Sequence, residues 1–406
     1  MNSRFDIVIA GAGPAGLSLA AALASRALRI AVIDPQPGPA LAAPAFDGRE
    51  IALTHTSVGT MRQLGLWQRI AAEEVSVIRD VRVFNGSSAR PMRIDHADGG
   101  AGELGHLVSN HVIRRAAYEA AAAQERVEIL TEAAVRDVYR EPDEIQVALS
   151  NQRVLHASLL VAADSRFSEV RRRAGIPARS RDFGKTMLVC RMEHECAHEQ
   201  TASEWFDYGQ TLALLPLSGN RSSAVITVAG SEAPRLQQLD TADFEFEVER
   251  RYRMRMGRMR RVSDVFAYPL VGVMADRFTA PRCALVGDAA VGMHPVTAHG
   301  FNLGLLGVAR LADAIGRAAA SGGDIGSAAV LASYERGHLR IALPLYLGTN
   351  ALVSLYTRDS LPARAVRAAL VRLGDRVRPF KRALASSLTR APGRIPSLPG
   401  SARTPG

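Results

Sequence analysis

Lysine is nearly missing from this chain of 406 residues: Lys185 and Lys381 are the only two, and arginine supplies the rest of the 50 basic side chains. That bias reads as codon usage rather than function, and it weakens any mechanism built on a catalytic lysine. Cysteine is scarce too. Its three copies lack framework spacing, which speaks against a disulfide scaffold and for a reducing compartment. No uncharged apolar run reaches the roughly 18 residues of a membrane span; the nearest approach, Ile341 to Tyr356, is interrupted by Pro344 and Asn350. Met1 leads almost directly into a strand-like segment, so no signal peptide and a cytoplasmic location are expected. Signatures of a Ser/His/Asp triad or a metalloprotease helix are also lacking.

What is present is ample core material. An apolar content of 47% over this length fits two interleaved domains. The net charge of +10 is unevenly placed: nine basic residues against Asp359 and Asp375 lie between Arg358 and Arg390. No nucleic-acid motif or aromatic interleaving accompanies them, so nucleic acid is not an expected partner. An anionic membrane surface suits that segment better. Leu361 to Arg382 reads as basic amphipathic helix, with Val366, Leu370 and Leu373 on one stripe. A helix simply docked on the body of the protein, its arginines solvated, reads equally well.

Three short segments, the first and third of them glycine-bearing, carry the chemistry. The first, Gly11-Ala-Gly13-Pro-Ala15-Gly16, follows the apolar run Phe5–Ala10 and precedes the helix-forming Leu17–Ala24; a second strand, Ile30–Ile33, then ends at Asp34. Strand, glycine turn, helix, strand and acid in that order form a dinucleotide-binding pattern. Its glycines allow backbone to approach a pyrophosphate seated on the helix N-terminus, and Asp34 stands where a ribose-binding carboxylate belongs. The second segment is Ala163-Asp164-Ser165-Arg-Phe-Ser168. The third is Gly287-Asp288-Ala-Ala290, followed by His294-Pro295 and by Gly300-Phe301-Asn302-Leu-Gly304, which opens a helix. One carboxylate for a ribityl chain and a positive helix end for the pyrimidine of an isoalloxazine point to a flavin.

Together these segments resemble the single-component flavoprotein aromatic hydroxylases, and within them the ubiquinone-biosynthesis hydroxylases. Asp47-Gly-Arg49-Glu-Ile-Ala52-Leu53 matches that subfamily's signature, and the resemblance covers nearly the whole chain. Ser165 replaces a usual glycine and Val291 a usual His or Gln, changes that the UbiM-like branch tolerates. The resemblance implies non-covalent FAD, NAD(P)H as reductant and O2 as co-substrate, acting through a flavin C4a-hydroperoxide. It also implies a lipidic polyprenyl phenol or quinone precursor hydroxylated at C5, a ubiquinone-biosynthesis complex, and peripheral contact with the inner membrane. A hydroxylase of a soluble phenol or polyketide is the first alternative, and a non-catalytic flavoprotein subunit the second. A halogenase fits less well, since its W-x-W-x-I-P segment and active lysine are missing.

The expected fold is α/β (α+β): a Rossmann-like FAD-binding domain from 1–75, 102–180 and 275–340, interleaved with a smaller antiparallel-sheet substrate domain from 76–101 and 181–274. A helical basic region, 341–390, and a disordered tail, 391–406, complete it. Cofactor contacts are expected from Gly11, Gly13, Ala15, Gly16, Asp34, Arg49, Asp164, Gly287, Asp288, Gly300, Phe301 and Asn302. Catalytic roles are expected of His294, Pro295 and Gly300. His294 or His299 serves equally well as a structural cap, and no phenol-activating base can be named. Ser76–Phe84 is expected to form one strand of the substrate sheet. Tyr208, Trp205 and Tyr268 are candidates for the pocket wall or the core alike. Cys190, His194, Cys196 and His198 would share one strand face about 7 Å apart, too far for one ion, so a polar sheet face is expected and no metal.

Overall fold

The computed structural model describes residues 3–357 except 87, 89, 208 and 295–298, together with 385, 386 and 389. Strand β1 (Ile7–Ala10) is buried along its whole length and runs through the glycine turn into helix α1 (Pro14–Ala24), whose Pro at the first turn lacks only an N–H that would be unpaired anyway. Strand β2 (Ile30–Ile33) lies parallel to β1, and strand β3 (Glu50–Leu53) pairs antiparallel with Gly105–Ser109. Strand β4 (Leu159–Ala162) flanks β1 on its other side. The continuous apolar runs of β1, β2 and β4 fit a parallel sheet covered on both faces. That six-stranded sheet runs Thr279–Ala280, Cys283–Leu285, β4, β1, β2, Val127–Leu130.

The second architecture is antiparallel. Strands β5 (Ala178–His194), β6 (Thr201–Phe206), β7 (Thr211–Pro216), β8 (Arg221–Ala229) and β9 (Phe266–Ala275) form its body in the order β9-β5-β8-β7-β6. Asp80–Asn85 adds to β6 in parallel. One face of this sheet packs Leu188, Cys190, Met192, Trp205, Leu212, Leu214, Ala224 and Ile226 into a core of its own, closed by Phe244, Val248 and Tyr252. Helices α2 (Gly300–Ala320) and α3 (Ala328–Thr357) complete the described fold. The mixed α/β fold with helices after the last strands is the one expected.

Two expectations need correction, and the open choice for Trp205 between pocket wall and core is decided. Ser76–Phe84 is not one strand: Val75–Ile78 pairs with Gly105–Ser109, whereas Asp80–Asn85 pairs with β6. The break falls at Arg79, whose N–H donates to Gln200 O while Ile78 O accepts from Leu104 N. Trp205 points into the core of the second sheet, because strand alternation turns its neighbours Glu204 and Phe206 the other way. Cys190 is likewise core rather than part of a polar face, and burial pushes its thiol up to about 12. His194 instead bonds Ser222 Oγ (2.9 Å) and Cys196 O (2.8 Å), so the chain turns before Cys196. Among the described residues no group of three His, Cys, Asp or Glu could hold a metal. Nor is any described helix long and apolar enough to cross a membrane. Pro295, Tyr208 and nearly all of the basic stretch 358–390 lie outside the described residues; Ala385 packs with Ile94 and Leu104, and Thr389 donates to Gly99 O (3.0 Å).

Candidate active site

The three segments meet at the carboxyl ends of β1 and β4. Gly11 has φ +110°, and a Cβ there would sit 2.5 Å from Ala163 O; a Cβ on Gly16 would sit 2.0 Å from Gly11 O. A side chain at Gly11 would push the first segment off the second, and one at Gly16 would break the glycine turn itself. Gly287, at φ +60°, approaches Ala15 so closely that a Cβ would lie 2.9 Å from that residue's Cβ, and a Cβ on Gly304 would lie 3.3 Å from Gly287 Cα. By contrast Gly13 and Gly300, at the N-termini of α1 and α2, face open space. Two helix N-termini with free N–H groups therefore open onto one cavity of about 990 Å³. The glycines that cannot carry a Cβ shape a cradle, and those that could leave room for a ligand. That arrangement fits a dinucleotide.

Side chains fasten the cradle. Asp34 is buried at the end of β2; one oxygen accepts from Ala12 N (2.8 Å) and the other from Gln36 N (2.9 Å), so it braces the glycine turn while facing the cavity. Arg166 joins segments two and three, donating to Asp288 Oδ2 (2.9 Å) and to Val271 O (2.8 Å). Arg171, buried behind it, donates to Arg166 O (3.0 Å) and Ala289 O (3.1 Å). Arg49 lies in the cavity wall, bonded to Asp47 (2.6 Å) and stacked over the Tyr268 ring at 5.3 Å. Burial alone would raise the Asp47 carboxyl, but the Arg49 bond and charge, with Asn110, hold it below its ordinary range. Tyr268 donates to Asp47 O (2.6 Å), so the 47–49 turn is tied to β9.

Among the expected cofactor contacts, Gly13, Ala15, Asp34, Arg49, Asp164, Gly287, Asp288, Gly300 and Phe301 line the cavity. Gly11 and Gly16 stand behind the wall and give it shape. Asn302 is elsewhere: its amide donates to Ala52 O (2.8 Å) and its oxygen accepts from Thr54 N (3.2 Å), pinning β3 to the start of α2. His294 is buried edge-on to Phe183 at 4.8 Å, and burial, with Arg166 nearby, pushes its imidazole down to about 4. It is neutral near pH 7.

The floor opposite the cradle is the free face of the antiparallel sheet. Met187, Val189, Ala213, Leu215 and Val225 make it apolar, and Ser223, Thr211 and Thr227 add small polar groups. Three ionisable residues that were not expected to serve the site also line it: Lys185, donating to Gly209 O (3.0 Å), Glu204 on β6, and Glu50 at the start of β3. Burial raises the Glu50 carboxyl even though Arg191 bonds it at 2.7 Å. Only strand alternation in Thr201-Ala-Ser-Glu-Trp-Phe could have marked Glu204 in advance.

With this geometry in hand, likeness to known proteins becomes informative. The family model described as FAD binding domain matches residues 4–344. Ubiquinone hydroxylase UbiM of Neisseria meningitidis serogroup C is 44% identical over 393 residues, 96% of this chain and 85% of that protein. Ubiquinone hydroxylase UbiL of Rhodospirillum rubrum is 36% identical over 378 residues, 93% of this chain and 87% of that protein. The crystal structure of p-nitrophenol 4-monooxygenase from Pseudomonas putida has a TM-score of 0.78 at 17% identity, covering 97% of this chain and 100% of that one. At such low identity it speaks for the fold alone.

Proposed function

This chain belongs to the FAD-binding monooxygenase family, and we propose that it hydroxylates the aromatic ring of a polyprenyl phenol or quinone precursor in ubiquinone biosynthesis, with C5 as the favoured position. The observation that carries this reading is the single cavity shared by a glycine-built cradle and an apolar sheet floor. Its relatives among ubiquinone hydroxylases support the choice of substrate class. FAD, reduced by NAD(P)H, supplies the activation of O2.

The protein's own residues do the rest. The N-terminus of α1 at Gly13 would hold the pyrophosphate, and Asp34 fixes the turn that presents those N–H groups. Asp288, steadied by Arg166, would take the ribityl hydroxyls. The start of α2, at Gly300 and Phe301, opens onto the cavity, and its positive end would stabilise negative charge on a bound flavin. Arg49 lines the same cavity. The apolar floor orients the substrate ring and excludes water. Neutral His294 shapes the wall beside α2 and is assigned to the reacting end of the cavity.

The same reading has the protein meet the cytoplasmic leaflet of the inner membrane, alone or within a biosynthetic complex, so that a polyprenyl tail can enter from lipid. Exposed Ile341, Leu343 and Leu347 on α3 support such a contact. A strain lacking the gene should accumulate a prenylated, under-hydroxylated quinone precursor, read by mass spectrometry of lipid extracts. A normal quinone profile would sink the substrate assignment.

A further inference from the structure

Strand alternation gives the antiparallel sheet two faces, and the cavity face is apolar except at a few points. The register sets Glu204 beside Ala213, Ala213 beside Val225, and Val225 beside Val189, so the Glu204 carboxyl stands at the end of a row of small and branched apolar side chains. No described residue donates a hydrogen bond to it or pairs with its charge. One rung along, Ser223 on β8 pairs with Leu215 on β7 and also faces the cavity. Ser223 is fully buried, and its hydroxyl has no hydrogen-bond partner among the described residues. Buried polar groups are rarely left unpartnered without a reason. Buried Ser223 and half-buried Glu204, both facing the cradle from one apolar floor, point to a ligand with two polar positions on a largely apolar body.

We propose that Glu204 takes the proton of the substrate's ring hydroxyl during hydroxylation, and that Ser223 binds a second substrate oxygen. This inference rests on the phenol-hydroxylase reading above. The O–H bond of the substrate breaks, and its electron pair stays on the ring oxygen as phenolate. That charge spreads to the ring carbon, which bonds one oxygen of the flavin-activated O2 as the O–O bond breaks and the other oxygen leaves as water. The hydrogen of that carbon is then lost as a proton, and the ring oxygen regains one to give the dihydroxylated ring. The proton resides on Glu204 and leaves to water when product departs. A base of this kind needs to titrate near the working pH. Burial raises the Glu204 carboxyl to about 8, with no neighbouring charge contributing.

The surroundings agree with that single cause. Strand β7 carries no titratable group, and Arg82 on the adjoining strand is already bonded to Asp95 (2.8 Å) and Asp80 (3.8 Å). Across the cavity, Lys185 is held by Gly209 O, Tyr268 by Asp47 O, Glu50 by Arg191, Arg166 by Asp288 and Arg49 by Asp47. His294 is neutral. Since the ionised carboxylate is the active form, turnover should rise with pH toward about 8.

The test uses flavin-loaded wild type, Glu204→Gln, Glu204→Asp and Ser223→Ala. Glu204→Gln should keep full flavin absorbance, which confirms its fold, while kcat on a short-chain prenylated phenol falls about a hundredfold or more and the rising pH limb disappears. Glu204→Asp should recover part of the rate and the limb. Ser223→Ala should raise KM with little change in kcat. An independent probe is 4-nitrophenol, an acidic phenol: bound to wild type near neutral pH it should show the phenolate band, and bound to Glu204→Gln the neutral band. If wild type fails to hydroxylate the prenylated phenol, the functional reading falls while the nitrophenol spectra still decide the role of Glu204. Unchanged kcat and pH profile in Glu204→Gln, or identical nitrophenol spectra in the two proteins, would overturn the proposal.

Discussion

The cradle and the floor of the cavity are built by opposite means. The cradle is made of backbone: Gly11, Gly16, Gly287 and Gly304 approach other segments so closely that a Cβ would stand 2.0–3.3 Å from a neighbouring atom, and two helix N-termini supply the donors. The floor is made of side chains standing on a sheet whose backbone is already satisfied by its ladder. A backbone-built site tolerates almost no substitution at its contacts, so it leaves a motif. A side-chain-built site needs only alternation and volume, so its residues are free to vary with the ligand.

That difference decides what was legible in the chain. Gly11 to Gly16, Asp34 and Gly287-Asp288 stand out because spacing and residue type are both dictated by close approach. The parallel sheet was legible for a similar reason, since β1, β2 and β4 must be apolar on both faces. Glu204 was not, because its meaning depends on which face of β6 it occupies, and that follows from pairing with Ala213 on β7. Trp205 drew notice as an aromatic, yet the same alternation sends it into the second core. Arg166 lay inside a recognised segment without a role, since its partners Asp288 and Val271 are more than a hundred residues away. The break at Arg79 depends on hydrogen bonds to Gln200 and from Leu104 N to Ile78 O, which no local pattern encodes.

The largest expected effect comes from breaking the cradle. Gly11→Ala places a Cβ against Ala163 O at a φ of +110°, a conformation alanine resists. Clash and backbone strain together should cost about 3 kcal/mol or more, and the protein should be recovered without flavin and with a lowered melting temperature. Gly13→Ala sharpens the point. Nothing lies within 4 Å of its added Cβ, so the flavin-free protein should melt normally, but flavin affinity should drop because the methyl enters the space over the helix N-terminus. Equal melting losses in the two variants would mean that the cradle is ordinary core.

The floor should respond differently. Ala213→Leu adds bulk to the cavity face beside Glu204 without touching any glycine turn. Flavin content should be unchanged, and KM for the aromatic substrate should rise on the order of tenfold to a hundredfold, the scale of a misfit of one or two methylenes in an apolar pocket. Flavin loss in this variant would show that cradle and floor are one cooperative unit rather than two separable surfaces.

The smallest effect lies outside both regions and sets the background against which they are measured. His338 on α3 is buried between Phe278 and Tyr334, with its Nε2 where a Cβ on Gly307 would stand 2.8 Å away. Burial, with Arg310 nearby, pushes its imidazole down to about 4, against about 6.5 in an unfolded chain. The unfolded state therefore binds the proton more readily, and this residue's contribution to stability is intact above about 6.5 and is lost as pH falls toward 4. By pH 5.5 the loss should reach about 1 kcal/mol. His338→Gln removes the titration. It should lower the melting temperature somewhat at pH 7.5 through lost packing, yet flatten the decline between pH 7 and 5.5. An equally steep decline in the variant would place the acid sensitivity elsewhere, with His294, whose imidazole is pushed down to a similar value, the next residue to change.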